Sequence, residues 1–213
     1  MNCKLVGNFV QHLEVTLSPG EEFYAEKGAL IYHESGIERS TTTTGRGLGG
    51  LIGAKLTGES LLNVRFTNRS HADRKLVVGS RHGLLHVKLT GESLICKAGS
   101  YVASSARIDV SAKLSIAGLT GGMGALLQKI SGSATVFLDT NGVPITVDLA
   151  HGEEIQVDED HIIALQGIPE SRMWAEWSLG NLFGGEGWSL LRVSGPGRVY
   201  LSPGTLREPV GER

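Results

Sequence analysis

This 213-residue chain has little of what most function classes require. It holds only two cysteines, Cys3 and Cys96, far apart and in no CxxC pair. A disulfide between them stays open on spacing alone, although two thiols in a chain this size match intracellular usage. Prolines number six against thirty glycines, so the chain is one of many turns rather than a disordered linker. Neither sign of charge dominates: 20 basic and 22 acidic side chains leave a net charge of −2, with a pI near 6.4. No block of like charge provides an electrostatic footprint for nucleic acid or anionic lipid. No apolar run approaches the roughly 20 residues that span a bilayer. Met1 to Leu17 alternates polar and apolar residues with no hydrophobic core or cleavage site, so it does not read as a signal peptide. The expectation is a soluble cytoplasmic protein.

What the chain does have is one pattern written three times. Val15-Thr16-Leu17 runs into Gly20-Glu21, Val87-Lys88-Leu89 into Gly91-Glu92, and Val147-Asp148-Leu149 into Gly152-Glu153. A second turn former follows each glycine by about eight residues, at Gly28, Gly99 and Asp160. An apolar pair comes next, as Leu30-Ile31, Tyr101-Val102 and Ile162-Ile163. A later turn glycine is expected at Gly58, Gly132 and Gly195, followed by Leu62/Val64, Val136/Leu138 and Val199/Leu201. A period of roughly 60–70 residues marks three copies of one supersecondary unit. The copies span residues 1–70, 71–138 and 139–213, packed effectively as one domain.

The segments within each copy alternate with the two-residue rhythm of half-buried strands. Leu85, Val87 and Leu89 do so, as do Val143, Ile145, Val147 and Leu149; Leu76-Val77-Val78 reads as a more fully buried strand. Short strands between glycine turns make an all-β sandwich, barrel or roll. Three glycine clusters interrupt the rhythm, at 45–50, 118–124 and 180–187. They read as long hairpin tips or short amphipathic pieces, with Ala125 to Ile130 the best candidate for a helical turn. Lys55 to Leu61 and Lys88 to Leu94 are identical over seven residues at different places in the repeat. That favours a unit of two similar half-turns.

None of the glycine clusters ends in the Lys-Ser/Thr that a phosphate loop needs. Gly45-x-Gly47-x-x-Gly50 fits the dinucleotide fingerprint, but no βαβ unit surrounds it, so no cofactor is assigned. If the three tips converge by pseudo-threefold symmetry, Leu48, Leu51, Ile52, Leu119, Met123, Leu126, Leu182, Phe183 and Trp188 form one apolar surface for a protein or membrane partner. The plainer alternative is that they cap the core or fill a subunit interface. His82 and His86 would share a strand face, as in a cupin-type metal site, yet no HxH pair with a placed Glu accompanies them. Ser100, Ser104 and Ser105 lack an evident base and no Gly-x-Ser-x-Gly elbow is present. Glu21, Glu92 and Glu153 are expected to be solvated or held in structural hydrogen bonds. Arg65, Arg69, Arg74, Lys75 and Arg81 form the densest basic region, with only Phe66 among them, which disfavours nucleic acid.

The ordered motifs carry a resemblance. Ser18-Pro19-Gly20-Glu21, Ala25 to Leu30, Gly49-Gly50-Leu51, Leu56 to Ser60, Ala98 to Ser105 and Gly195 to Val199 are similar to the altered-inheritance-of-mitochondria protein 24 family, over roughly residues 10–203. The resemblance implies three fused β-units related to the tryptophan RNA-binding attenuation protein (TRAP). It also implies a homotrimer whose nine units mimic a ring of single-unit subunits. No motif for tryptophan or RNA contacts can be matched. The resulting expectation is a non-enzymatic oligomeric scaffold or binding protein without cofactor or metal, possibilities next in line being a small-ligand or RNA binder with sites between units, then a metal enzyme.

Overall fold

A computed structural model describes residues 1–8, 10–43, 62–110, 114–115, 126–176 and 190–204. Among these the chain is all-β, with no α-helix and two single 3₁₀ turns at Glu159–His161 and Glu170–Arg172. The strands are β1 (Asn2–Val6), β2 (His12–Leu17), β3 (Glu22–Glu26), β4 (Leu30–His33), β5 (Ile37–Thr43), β6 (Leu62–Asn68) and β7 (Arg74–Gly79). There follow β8 (Gly83–Thr90), β9 (Leu94–Lys97), β10 (Tyr101–Ser104), β11 (Asp109–Val110), β12 (Leu114–Ser115), β13 (Leu126–Ser131) and β14 (Ser133–Thr140). The last are β15 (Ile145–Leu149), β16 (Glu154–Asp158), β17 (Ile162–Gln166), β18 (Met173–Glu176), β19 (Leu190–Ser194) and β20 (Gly197–Leu201).

Every pairing is antiparallel, and the same two trios occur three times. β2-β7-β4, β8-β14-β10 and β15-β20-β17 form one kind. β5-β6-β3, β11-β13-β9 and β18-β19-β16 form the other. Register fixes which residues correspond. Val15, Val87 and Val147 lie opposite Leu76, Val136 and Val199. Ala25, Cys96 and Val157 lie opposite Val64, Gln128 and Leu191. Even an irregularity recurs, a register shift between Leu30/Tyr32, Tyr101/Ala103 and Ile162/Ala164. A bulge in one strand bends it and re-aims the residues beyond it.

The turns that space these strands are where the glycines are needed. Gly20, Gly91 and Gly152 stand at φ +82, +119 and +84, a region that a side chain on Cβ disfavours. Between turns, Leu13, Val15 and Leu17 are fully buried while their neighbours are half-exposed, the alternation of a strand with one face inward. The apolar residues make three cores. One contains Leu13, Phe23, Phe66 and Leu76; the next Leu94, Ile130 and Val136; the last Val157, Leu191, Val193 and Val199.

Three expectations need correction. Residues 126–131 form a strand instead of the helical turn, because Leu127 and Ile130 belong to different cores on opposite faces of one sheet. Their three-residue spacing imitates a helix, but a strand buried on both faces has apolar residues at odd separations too. The later turn position is also misplaced. Gly132 and Gly195 precede Val136 and Val199 by four residues, and register puts Ala72, four before Leu76, in that role. Gly58 lies outside the described residues. Val143, read as part of an alternating strand, sits in the turn before β15 and is exposed.

Candidate functional site

Among the described residues the trios are joined edge to edge at two places. At the first, β10 crosses to β3 with Ala103 opposite Ala25 and Ser104 opposite Tyr24. At the second, β17 crosses to β9 with Ala164 opposite Cys96 and Leu165 opposite Ile95. Each junction extends a trio into a larger sheet, so two of the four sheets span both kinds of trio. The first is packed by Phe23 and Phe137, ring centroids 6.3 Å apart and tilted by 50°. That geometry suits the aromatic quadrupoles better than a face-to-face stack.

Buried polar groups sit beside each junction. Ser104 Oγ donates to the Ala106 carbonyl at 2.8 Å, which leaves it accepting from the Tyr101 hydroxyl at 2.9 Å. Asn63 Nδ2 completes this chain 3.5 Å from the Tyr101 oxygen. Burial raises the Tyr101 phenol well above its ordinary range, outweighing the bonds to Ser104 and Asn63. At the second junction Gln128 Nε2 donates to Cys96 Sγ at 3.6 Å. Gln128 Oε1 is buried without a partner, an arrangement that costs the desolvation of an amide oxygen. Burial pushes the Cys96 thiol up to about 11, so it remains protonated and unreactive at neutral pH.

The recurrent glutamates hold turns. Glu21, Glu92 and Glu153 each accept a backbone N–H just upstream, from Ser18 at 2.8 Å, Thr90 at 3.0 Å and Ala150 at 2.7 Å. Their repetition reports the fold rather than a pair of acid–base groups.

The other sequence candidates are dispersed. His82 lies in the turn before β8 and His86 on its exposed side; no group of three or more metal-ligating side chains occurs among the described residues. Arg65 approaches Glu22 at 3.5 Å, and Arg69 bonds Glu38 at 2.8 Å. Phe66 is in the core and offers no stacking surface. Arg192 stacks 6.0 Å over the Trp174 ring. Leu48, Leu51, Ile52, Leu119, Met123, Leu182, Phe183 and Trp188 lie outside the described residues. So do Gly45, Gly47 and Gly50. Leu126 opens β13 opposite Ser115.

Sequence reasoning passed over one surface. β4 and β16 each end a sheet among the described residues. On β4, Ile31 is 60% exposed and Tyr32 52%, two of the six large hydrophobic side chains left in water. The signal was present: Tyr32 stands where the corresponding strands have Ala103 and Ala164.

These strands, junctions and turns fall within a region that matches one family model, that of mitochondrial biogenesis AIM24, over residues 3–204. The chain belongs to the AIM24 family. The AIM24 chain also resembles the crystal structure of a protein from Streptococcus pyogenes, with a TM-score of 0.70 at 18% identity, covering 96% of this chain and 94% of that one. That likeness speaks for the fold alone. No curated protein matches this AIM24 sequence.

Proposed function

We propose that this AIM24-family chain is a non-enzymatic oligomeric scaffold or binding protein made of three TRAP-like β-units. In this reading it is a cytoplasmic homotrimer that contacts a protein partner or membrane surface through its glycine-rich loops. The observation that carries the oligomer is the threefold recurrence of one pair of strand trios, joined edge to edge. A unit that builds outward through strand edges is suited to build beyond its own chain. The loop role rests on the apolar residues repeated beside the three glycine clusters, Leu51, Met123 and Phe183 among them.

Native mass spectrometry tests the assembly: a mass of three chains is expected, and a bare monomer overturns it. Sedimentation with phosphatidylcholine and phosphatidylglycerol vesicles tests the membrane contact. Binding by the wild type, lost in a folded Leu51→Asp/Met123→Asp/Phe183→Asp variant, is expected; no binding, or binding unchanged by the variant, sinks that contact.

A second reading, a ring that binds a small ligand or RNA between units, draws on the unpartnered Gln128 Oε1 beside the β9–β17 junction. It requires excess mass in the native spectrum or, for RNA, filter binding that weakens as salt rises.

A further inference from the structure

The geometry points to β4 of one chain pairing antiparallel with β16 of another copy, Tyr32 opposite Val157 and His33 opposite Gln156, so that copies join head to tail. This rests on the oligomer proposed above and assigns its interface.

The assignment comes from counting junctions. Three trios of each kind give three possible joints of the type β10–β3 and β17–β9, and the described residues make two. The strands left over are β4, which corresponds to β10 and β17, and β16, which corresponds to β3 and β9. Both are sheet ends among the described residues. Transferring the registers Ala103 opposite Ala25 and Ala164 opposite Cys96 gives Tyr32 opposite Val157.

Exposure marks the same place from both sides. Val102 and Ile163, which correspond to Ile31, are buried, as are Ala103 and Ala164. Ile31 and Tyr32 alone of these positions face water. Across the gap, Ile155 of β16 is only half-buried, whereas its counterparts Phe23 and Leu94 are fully buried. Ile145 is 50% exposed where Leu13 and Leu85 are buried. Among the described residues, the third core has no strand in the place that β10 and β17 take in the other two. In those, Val102, Ala103 and Phe137 close the first core, and Ile163, Ala164 and Tyr200 close the second.

Volumes agree as well. At the first junction the small Ala103 meets a core containing Phe23 and Phe66, and at the second Ala164 meets Leu94 and Ile130. The third core has Ile155 and Val193 at those positions, and the incoming strand carries the bulky Tyr32. Relative to the Phe23–Phe66 pair of the first core, this smaller host pair offsets most of the extra volume of Tyr32, as close packing demands. Because the two edges differ, the contact is heterologous: it closes a ring if the rotation allows, and otherwise extends a fibre.

Two measurements on the full chain decide it. Native mass of wild type and of Ile31→Lys/Tyr32→Lys, which places charge on an exposed edge, should show an assembly reduced to monomer with unchanged circular dichroism. Separately, His33→Cys/Gln156→Cys under copper–phenanthroline should give intermolecular disulfides on a non-reducing gel, while His33→Cys/Glu154→Cys, two residues out of register, should not. A monomeric wild type overturns both the oligomer and this interface. An assembly that survives the lysine pair, with no register-specific cross-link, keeps the oligomer and overturns the edge assignment.

Discussion

Gln166 ends β17 on one side of the β9–β17 junction, Glu92 lies in the turn leading into β9 on the other, and the Gln166 Nε2 amide donates to Glu92 Oε1 at 2.7 Å. Gln166 also donates to the Lys88 carbonyl at 3.0 Å and accepts from the Tyr200 hydroxyl at 2.7 Å. One side chain thus ties the turn before β9 and strand β8 to the central strand of its own trio.

This arrangement has a pH signature. The Glu92 carboxyl is held down at about 2 by its own backbone N–H first, then by Gln166 and Thr90. An unfolded glutamate titrates near its ordinary value of about 4.3. The stabilisation is therefore complete above that value and is lost as pH falls through the folded value near 2. Because the group is partly solvated, the increment is about 1 kcal/mol or less. Urea melts from pH 6 to pH 2.5 should show wild type and Glu92→Gln converging on acidification; a constant gap would refute the linkage.

Gln128 offers a stabilising substitution. Its counterparts in the other trios are Val64 and Leu191, and its Oε1 is buried unpaired. Gln128→Leu should raise stability by about 1 kcal/mol, the scale of an unsatisfied buried group relieved. Thermal melts read the sign directly. A loss would mean that the Gln128–Cys96 contact outweighs the orphaned oxygen.

The thiols should be slow. Burial pushes both Cys3 and Cys96 up to about 11. Ellman's reagent at pH 8 should label Cys96 only on unfolding and Cys3 slowly, with two thiols released at once in guanidinium. A fast native reaction at Cys96 would require the second junction to open.

The Phe23–Phe137 contact reports the strength of the first junction. Phe137→Ala empties a buried site and should cost about 3–5 kcal/mol, seen as a lower denaturation midpoint. A cost near zero would mean that the two trios are held by backbone pairing alone.

Much of the strand pattern was legible because glycine turns and two-residue alternation act locally. Gly20, Gly91 and Gly152 read as turns in the sequence, and each has a positive φ in the structure. The alternation failed where a strand is buried on both faces, as at Leu127 and Ile130, since periodicity then loses its contrast. Ala72 is not legible as a turn position because the other copies have glycine there, and only strand register reveals the correspondence. The open edge escaped for a different reason. Ile31 reads like any core residue in one dimension, and its exposure shows only once β4 is seen to end its sheet among the described residues. The apolar loop residues from Leu48 to Trp188, Leu126 apart, fall outside the described residues, so their role remains the proposal made above.

Each outer trio is completed by a strand from further along the chain: β7 lies between β2 and β4, β14 between β8 and β10, β20 between β15 and β17. During synthesis, therefore, no trio can close when its first two strands emerge. It waits for the segment that follows a long excursion, residue 74 onward for the first and residue 197 onward for the last. A stop codon just before Gly197 would remove β20 and the residues after it, yet it would leave β15 and β17 with nothing between them. Strand β20, late in the chain, is a keystone.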